Sequence, residues 1–240
     1  MRAWGPATGI VLSSILLVGC GDGSGDNPPI DAADVVDAGS ADAYDGPTRT
    51  LFLNRAGGTY NVGANDAVAN TQGFTQAPVT APAYPFGDTE WAATRDCVAA
   101  LFQPFNVTVT DVDPGTVDHV EIIITTTPQV FGFQNGVSGV APADGTCALL
   151  ERGFAPVFAT PFGPTATQDV CWVAASMAGI LYGLDWAMHC PDVMTYLSSC
   201  GAKAFRDVSA DCGENQARAC RCGGTTQNSF RFLLGRLGPR

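Results

Sequence analysis

The chain has 240 residues, including 28 Gly, 16 Pro and nine Cys, and 46 % of it is apolar or aromatic, which is enough for one folded domain with a proper core. Its formal net charge is −11, from 12 basic and 23 acidic residues, so it lacks the basic footprint that nucleic-acid binding requires. The apolar run near the N-terminus, from Ile10 to Val18, is too short to span a bilayer as a mature helix.

The first twenty residues, "MRAWGPATGIVLSSILLVGC", join a basic start to a short apolar centre and a small residue before a Cys, the pattern of an export signal. "LVGC" resembles the lipobox of bacterial lipoproteins. That resemblance implies a signal peptide over residues 1–19 and acylation of Cys20 as the mature N-terminus. It also implies anchoring to a membrane in the bacterial cell envelope, outside the cytoplasm, with each buried CH₂ contributing about 0.8 kcal/mol. Residues 20–48 continue as an acidic stretch with seven Asp and no Lys or Arg. So little of it can be buried that the composition predicts a solvated tether.

The folded domain is expected over residues 49–240. "TRTLFLNR" (48–55) alternates as a first strand. "DTEWAATRDCVAALFQPF" follows as a helix, with Asp88 as N-cap and Trp91, Cys97, Leu101 and Phe102 on one face. "FNVTVTDVD" and "DHVEIIITTTP" read as strands around a Pro114-Gly115 turn, and "GFAPVFAT" as another. The glycine-rich span 131–145 reads as loop with a short edge strand. A second helix runs from Gln168 to a stop at Gly183, and "SFRFLLGRLG" is a short amphipathic helix at the end. The fold class is therefore α/β, in the broad sense that includes α+β.

Without Cys20, eight cysteines remain: Cys97, Cys147, Cys171, Cys190, Cys200, Cys212, Cys220 and Cys222. An even number in an exported chain predicts four disulfides, with the pairing left open. Cys220 and Cys222 are too close in sequence to pair comfortably, so each should hold the tail to something else.

The segment "ASMAGILYGLDWAMHCPDVMTY" (175–196) carries the one site-like pattern. A zinc hydrolase of the His-Glu-x-x-His type places two His one helical turn apart with a Glu between them, then Gly-x-x-His to bring in a third ligand, and later a Met-turn beneath the metal. Setting Gly183 at the glycine puts Ser176 and Ile180 at the helical His positions, Met177 at the Glu and Trp186 at the third His. Met194 and Tyr196 then fall in the Met-turn. On these residues the chain resembles the metzincin-type zinc metalloproteases, in particular disulfide-rich bacterial lipoprotein members.

The resemblance implies a twisted mixed sheet with two main helices, a peptide-binding cleft, a Met-turn and a disulfide-rich C-terminal part. It also implies zinc, yet these residues cannot supply its ligands: serine is a poor one, Ile and Trp are none, and Met177 cannot take a proton from water. No catalytic residue, metal ligand or cofactor is therefore expected.

The chain's two histidines, His119 and His189, cannot make a three-His site. His119 opens a strand and is expected to be structural, and His189 could meet Asp185 or Asp192. A Cu(I) site from Met177, Met188 and Met194 is conceivable, but Met194 is expected to be packing. Ser176 lies in neither a nucleophile elbow nor a Ser-x-x-Lys pattern. The expectation is thus a metallopeptidase-like pseudoenzyme, with Met177, Ile180 and Trp186 as an apolar cleft floor. It would bind an extended peptide or protein partner, or serve as a structural part of the envelope. An active zinc endopeptidase with displaced ligands is the alternative.

Overall fold

A computed structural model describes residues 46–143, 145–197 and 199–240. The signal peptide, the lipidated Cys20 and nearly all of the acidic tether lie outside the described residues.

Among the described residues nine strands and three helices follow in chain order. They are β1 (Arg49–Asn54), β2 (Gly58–Val62), β3 (Thr71–Gln72), β4 (Val79–Ala81), α1 (Asp88–Phe102), β5 (Val107–Thr110), β6 (Val120–Thr125), β7 (Phe154–Phe158), α2 (Thr167–Leu181), β8 (Ala210–Asp211), β9 (Thr226–Gln227) and α3 (Ser229–Leu237). A 3-10 turn at Pro128–Phe131 follows β6.

The main sheet has the order β5-β1-β6-β7, and every neighbouring pair is parallel. Its apolar runs explain this arrangement: a strand covered on both faces has no polar side to alternate with, and all six residues of β6 and all five of β7 are buried. The outer edge of β7 takes one antiparallel neighbour, the segment around Gly139. Gly139 bridges Val157, Val140 donates its N–H to Pro156 O at 3.0 Å, and Phe158 donates to Ser138 O at 2.9 Å. Among the described residues the four strands are thus all parallel, not the mixed sheet that the resemblance implies, and the antiparallel contact is a bridge at this edge.

Side-chain alternation sorts the sheet into two faces. Leu51, Leu53, Ile122, Ile124, Ala155 and Val157 join the core formed with α1 and α2. Ile123, Phe154 and Phe158 point the other way, onto the small sheet of β2, β3 and β4, where Tyr60 stacks on Phe154 with ring centroids 4.2 Å apart. That small sheet is absent from the sequence reading. Its strands are two to five residues long and only Tyr60, Gln72, Val79 and Ala81 are buried in them, too short a pattern to show a period.

Helix α1 begins at Asp88, but Gly87 is the N-cap and no side chain caps the helix, so the expected Asp88 cap is corrected. The Asp88 carboxylate instead accepts from Arg55 at 2.6 Å and adds negative charge to the first turn, where the helix dipole favours it. The buried face is Trp91, Thr94, Val98 and Phe102; Cys97 and Leu101 flank it, half-buried.

Helix α2 is buried on all sides from Ala174 to Leu181, as expected of a helix enclosed by other elements rather than lying on a surface. It ends where Tyr182 and Gly183 close the last turn, and Gly183 has φ +99°. A Cβ there would stand 2.5 Å from the carbonyl oxygen of Cys147, so both conformation and space require glycine.

All eight cysteines pair: Cys97–Cys171, Cys147–Cys222, Cys190–Cys200 and Cys212–Cys220. The first joins α1 to α2. Cys220 and Cys222 do go to separate partners. Four disulfides are the mark of an oxidising compartment rather than the cytoplasm. Among the described residues no helix is long and apolar enough to cross a membrane.

Candidate functional site

Between the β7 edge and the segment that follows α2 lies a cavity of about 540 Å³, within the ~300–1,000 Å³ usual for ligand sites. One wall is Gly136 to Gly139, the antiparallel edge segment. The base is the side of α2 that carries Trp172 and Val173, both half-buried, and the buried Ser176 and Met177. The opposite wall is Trp186 with Thr195, Tyr196 and Leu197, continuing to Lys203.

The edge wall presses directly on the helix. A Cβ on Gly139 would lie 2.9 Å from Val173 Cγ1 and 3.0 Å from Met177 Cγ, so only glycine brings this backbone so close. Because Ser138 O and Val140 N–H are the groups turned to β7, the Gly139 N–H and C=O face the other way, along the free edge.

The opposite wall is positioned by two buried carboxylates. Asp192, 1 % exposed, accepts from the backbone N–H of Met194 at 2.8 Å, from the Ser229 hydroxyl at 2.5 Å and from the Arg206 N–H at 3.2 Å. Burial raises its carboxyl above the ordinary range, against those hydrogen bonds. Met194 O then accepts from Ala187 N–H, closing the loop and carrying Met194 beneath α2.

There Met194 is fully buried, and its sulfur would lie 2.5 Å from a Cβ on Gly179. Asp185, also fully buried, accepts two hydrogen bonds of 2.7 Å from Arg218, one of 2.9 Å from Arg221 N–H and one of 2.8 Å from Trp186 N–H. Burial alone would raise its carboxyl, but these bonds and the nearby Arg221 charge outweigh it, and the net shift is downward.

The sequence-derived positions fall in distinct places. Ser176, Met177, Trp186 and Tyr196 line the cavity together; the Trp186 and Tyr196 rings meet edge to face at 4.7 Å. Ile180 does not line it. It is buried in the core, and of the expected floor only Met177 and Trp186 line the cavity. Ser176 donates its hydroxyl to Val173 O at 2.9 Å.

His119 is buried, with Nδ1 2.7 Å from Val117 O and its ring edge-on to Phe52, away from the cavity. His189 does not line the cavity either; its carbonyl accepts from the Asp192 N–H at 2.8 Å and its ring acts on the Asp192 carboxylate through its field, while that carboxylate bonds the partners above. Among the described residues no group of three or more His, Cys, Asp and Glu is placed to hold a metal ion.

Sequence reasoning missed Phe162, Asp169, Trp172 and Lys203. Trp172 was within reach, since it stands four residues before Ser176 and so on the same helical face. Lys203 had a different signal: it is the only lysine in the chain. No protein-family model matches this sequence, and no curated protein matches it.

Proposed function

We propose that the chain is a catalytically silent, metzincin-like lipoprotein, anchored through Cys20 in the bacterial envelope, whose cleft binds an extended peptide or protein segment. The observation that carries the reading is the pairing of a free backbone edge at Gly139 with an aromatic wall at Trp186 and Tyr196 across one cavity. An extended peptide adds to such an edge by main-chain hydrogen bonds and is sorted by the side chains it drops into the cavity.

The kinship with metallopeptidases draws support from the placement of Ser176 and Met177 at the cavity base, with Met194 under the same helix and Gly183 at the turn. In a zinc peptidase these places would hold the metal, its base and its floor. Here the base carries a hydroxyl already bonded to its own helix and a thioether, neither of which activates water.

The test is a metal and activity assay on the full chain purified from membranes, together with binding of capped peptides followed by the fluorescence of Trp172 and Trp186. The expected result is peptide-dependent fluorescence, no stoichiometric zinc and no cleavage. Zinc at one per chain, whose removal abolishes proteolysis, would instead establish the displaced-ligand enzyme.

A further inference from the structure

Among the described residues lining the cavity the one cation is Lys203, and Asp169 acts on it without forming an ion pair. In a chain with 23 acidic residues most arginines find a carboxylate: Arg55 pairs with Asp88, Arg218 with Asp185 and Glu214, and Arg231 with Asp207. Among the described residues Lys203 has no carboxylate within ion-pair distance. Its ammonium donates to Leu197 O at 3.1 Å and lies 5.5 Å from the centre of the Trp172 ring. Asp169 also lines the cavity but acts on Lys203 only through its field.

The side chain is half-buried, and that burial lowers its pKa against the raising field of Asp169. An ammonium has three donors. One is used on Leu197 O, and a second direction is covered by the aromatic face.

We infer that Lys203 is the specificity-determining group of this cavity, and that the peptide it selects carries an Asp or Glu side chain whose carboxylate takes the remaining donor. The inference rests on the peptide-binding reading and deepens it. Apolar neighbours of the acidic residue are accommodated by Met177, Trp172 and Trp186, while the backbone lies on the Gly139 edge. A charge-assisted hydrogen bond in a partly desolvated site sets the acidic peptide apart from its amide counterpart by about 10- to 100-fold in affinity.

The test uses the full chain and capped pentapeptides of sequence Ala-Val-Glu-Val-Ala and Ala-Val-Gln-Val-Ala, titrated by tryptophan fluorescence. The Glu peptide is expected to bind about 10- to 100-fold more tightly. Lys203→Gln should erase that preference, so that the two peptides bind alike, and Lys203→Arg should keep it. Should a variant fail to fold, reductive ¹³C-methylation of the parent supplies one lysine signal, whose titration midpoint should rise when the Glu peptide is added.

Equal binding of both peptides would overturn the inference and leave the peptide-binding reading standing. No binding of either would overturn both. A third arm, the Gln peptide with a free C-terminus, separates sources of charge: Lys203-dependent tight binding of that peptide alone would show recognition of the terminal carboxylate and sink the side-chain assignment.

Discussion

The strands of the main sheet and the segment from Gly183 to Asn228 are held by different physics. In the sheet, β6 and β7 are buried from end to end, and the cross-link on that side, Cys97–Cys171, joins its two covering helices. In the later segment the strands are two residues long, yet three of the four disulfides have at least one end there. Its interior is organised around Asp185 and Asp192, each saturated with hydrogen bonds. A chain that cannot build a continuous apolar layer can still fix a wall of a cavity, provided covalent links and fully satisfied buried carboxylates take over the role of packing.

The largest effect that would break this contrast comes from the cross-links. Replacing Cys147 and Cys222, 75 residues apart, by Ala should cost about 4.5 kcal/mol on loop-entropy grounds, against about 2.5 kcal/mol for Cys212 and Cys220, eight apart. Urea unfolding of the two double variants measures the difference, and equal losses would show that loop length does not govern this region.

Next comes Asp185→Asn, expected to cost about 3 kcal/mol because two arginines lose their buried partner, at the lower end of the usual range since Arg218 keeps a third of its surface in water. The Asp185 carboxyl is held below its ordinary range in the folded state. Its contribution is therefore present above the unfolded pKa, ~3.9, and is lost as pH falls through the depressed folded value. The acid limb of the stability curve should flatten in the variant; an unchanged limb would remove Asp185 from the account.

A packing probe in α2 follows. Gly179→Ala should cost about 2 kcal/mol, because the new methyl meets the Met194 sulfur, and thermal melts should show part of the loss recovered in Gly179→Ala/Met194→Val.

The smallest effect belongs to the sheet. Glu121 is buried, and its carboxyl is raised first by that burial, while Tyr60 OH at 2.6 Å and Asn54 Nδ2 at 2.7 Å pull it down. A raised carboxyl means the folded protein holds the proton more tightly than the unfolded chain. Stability should thus fall as pH climbs from ~4.3 toward the raised folded value. Glu121→Gln should remove that slope while changing stability by only about 1 kcal/mol near pH 4, as read by denaturant titrations across pH.

The same contrast explains what could be read from the amino-acid order. Long apolar runs such as "VEIII" and "FAPVF" announce strands, and the α2 run ending in Gly183 announces both a helix and its stop. The wall around Asp185 and Asp192 could not be read in this way, because its order comes from partners 33 to 37 residues away. Ile180, buried and off the cavity lining, shows the same limit. Helical spacing assigns it to a face, but which face the cavity opens on depends on how the Gly139 edge crosses the helix. Trp172 and Lys203 carry no motif at all; a fold is needed to bring them within 5.5 Å.

The close fit between Gly179 and Met194 bears on how this sequence can drift. A helix residue without a side chain and a long, flexible thioether share one small volume, so neither can change size alone without loss. Descendants of this chain that acquire a methyl at position 179 should be those that first shortened position 194. The loop bearing Tyr196 would then travel with the helix as one inherited unit, free to vary at its exposed tip but not at its root.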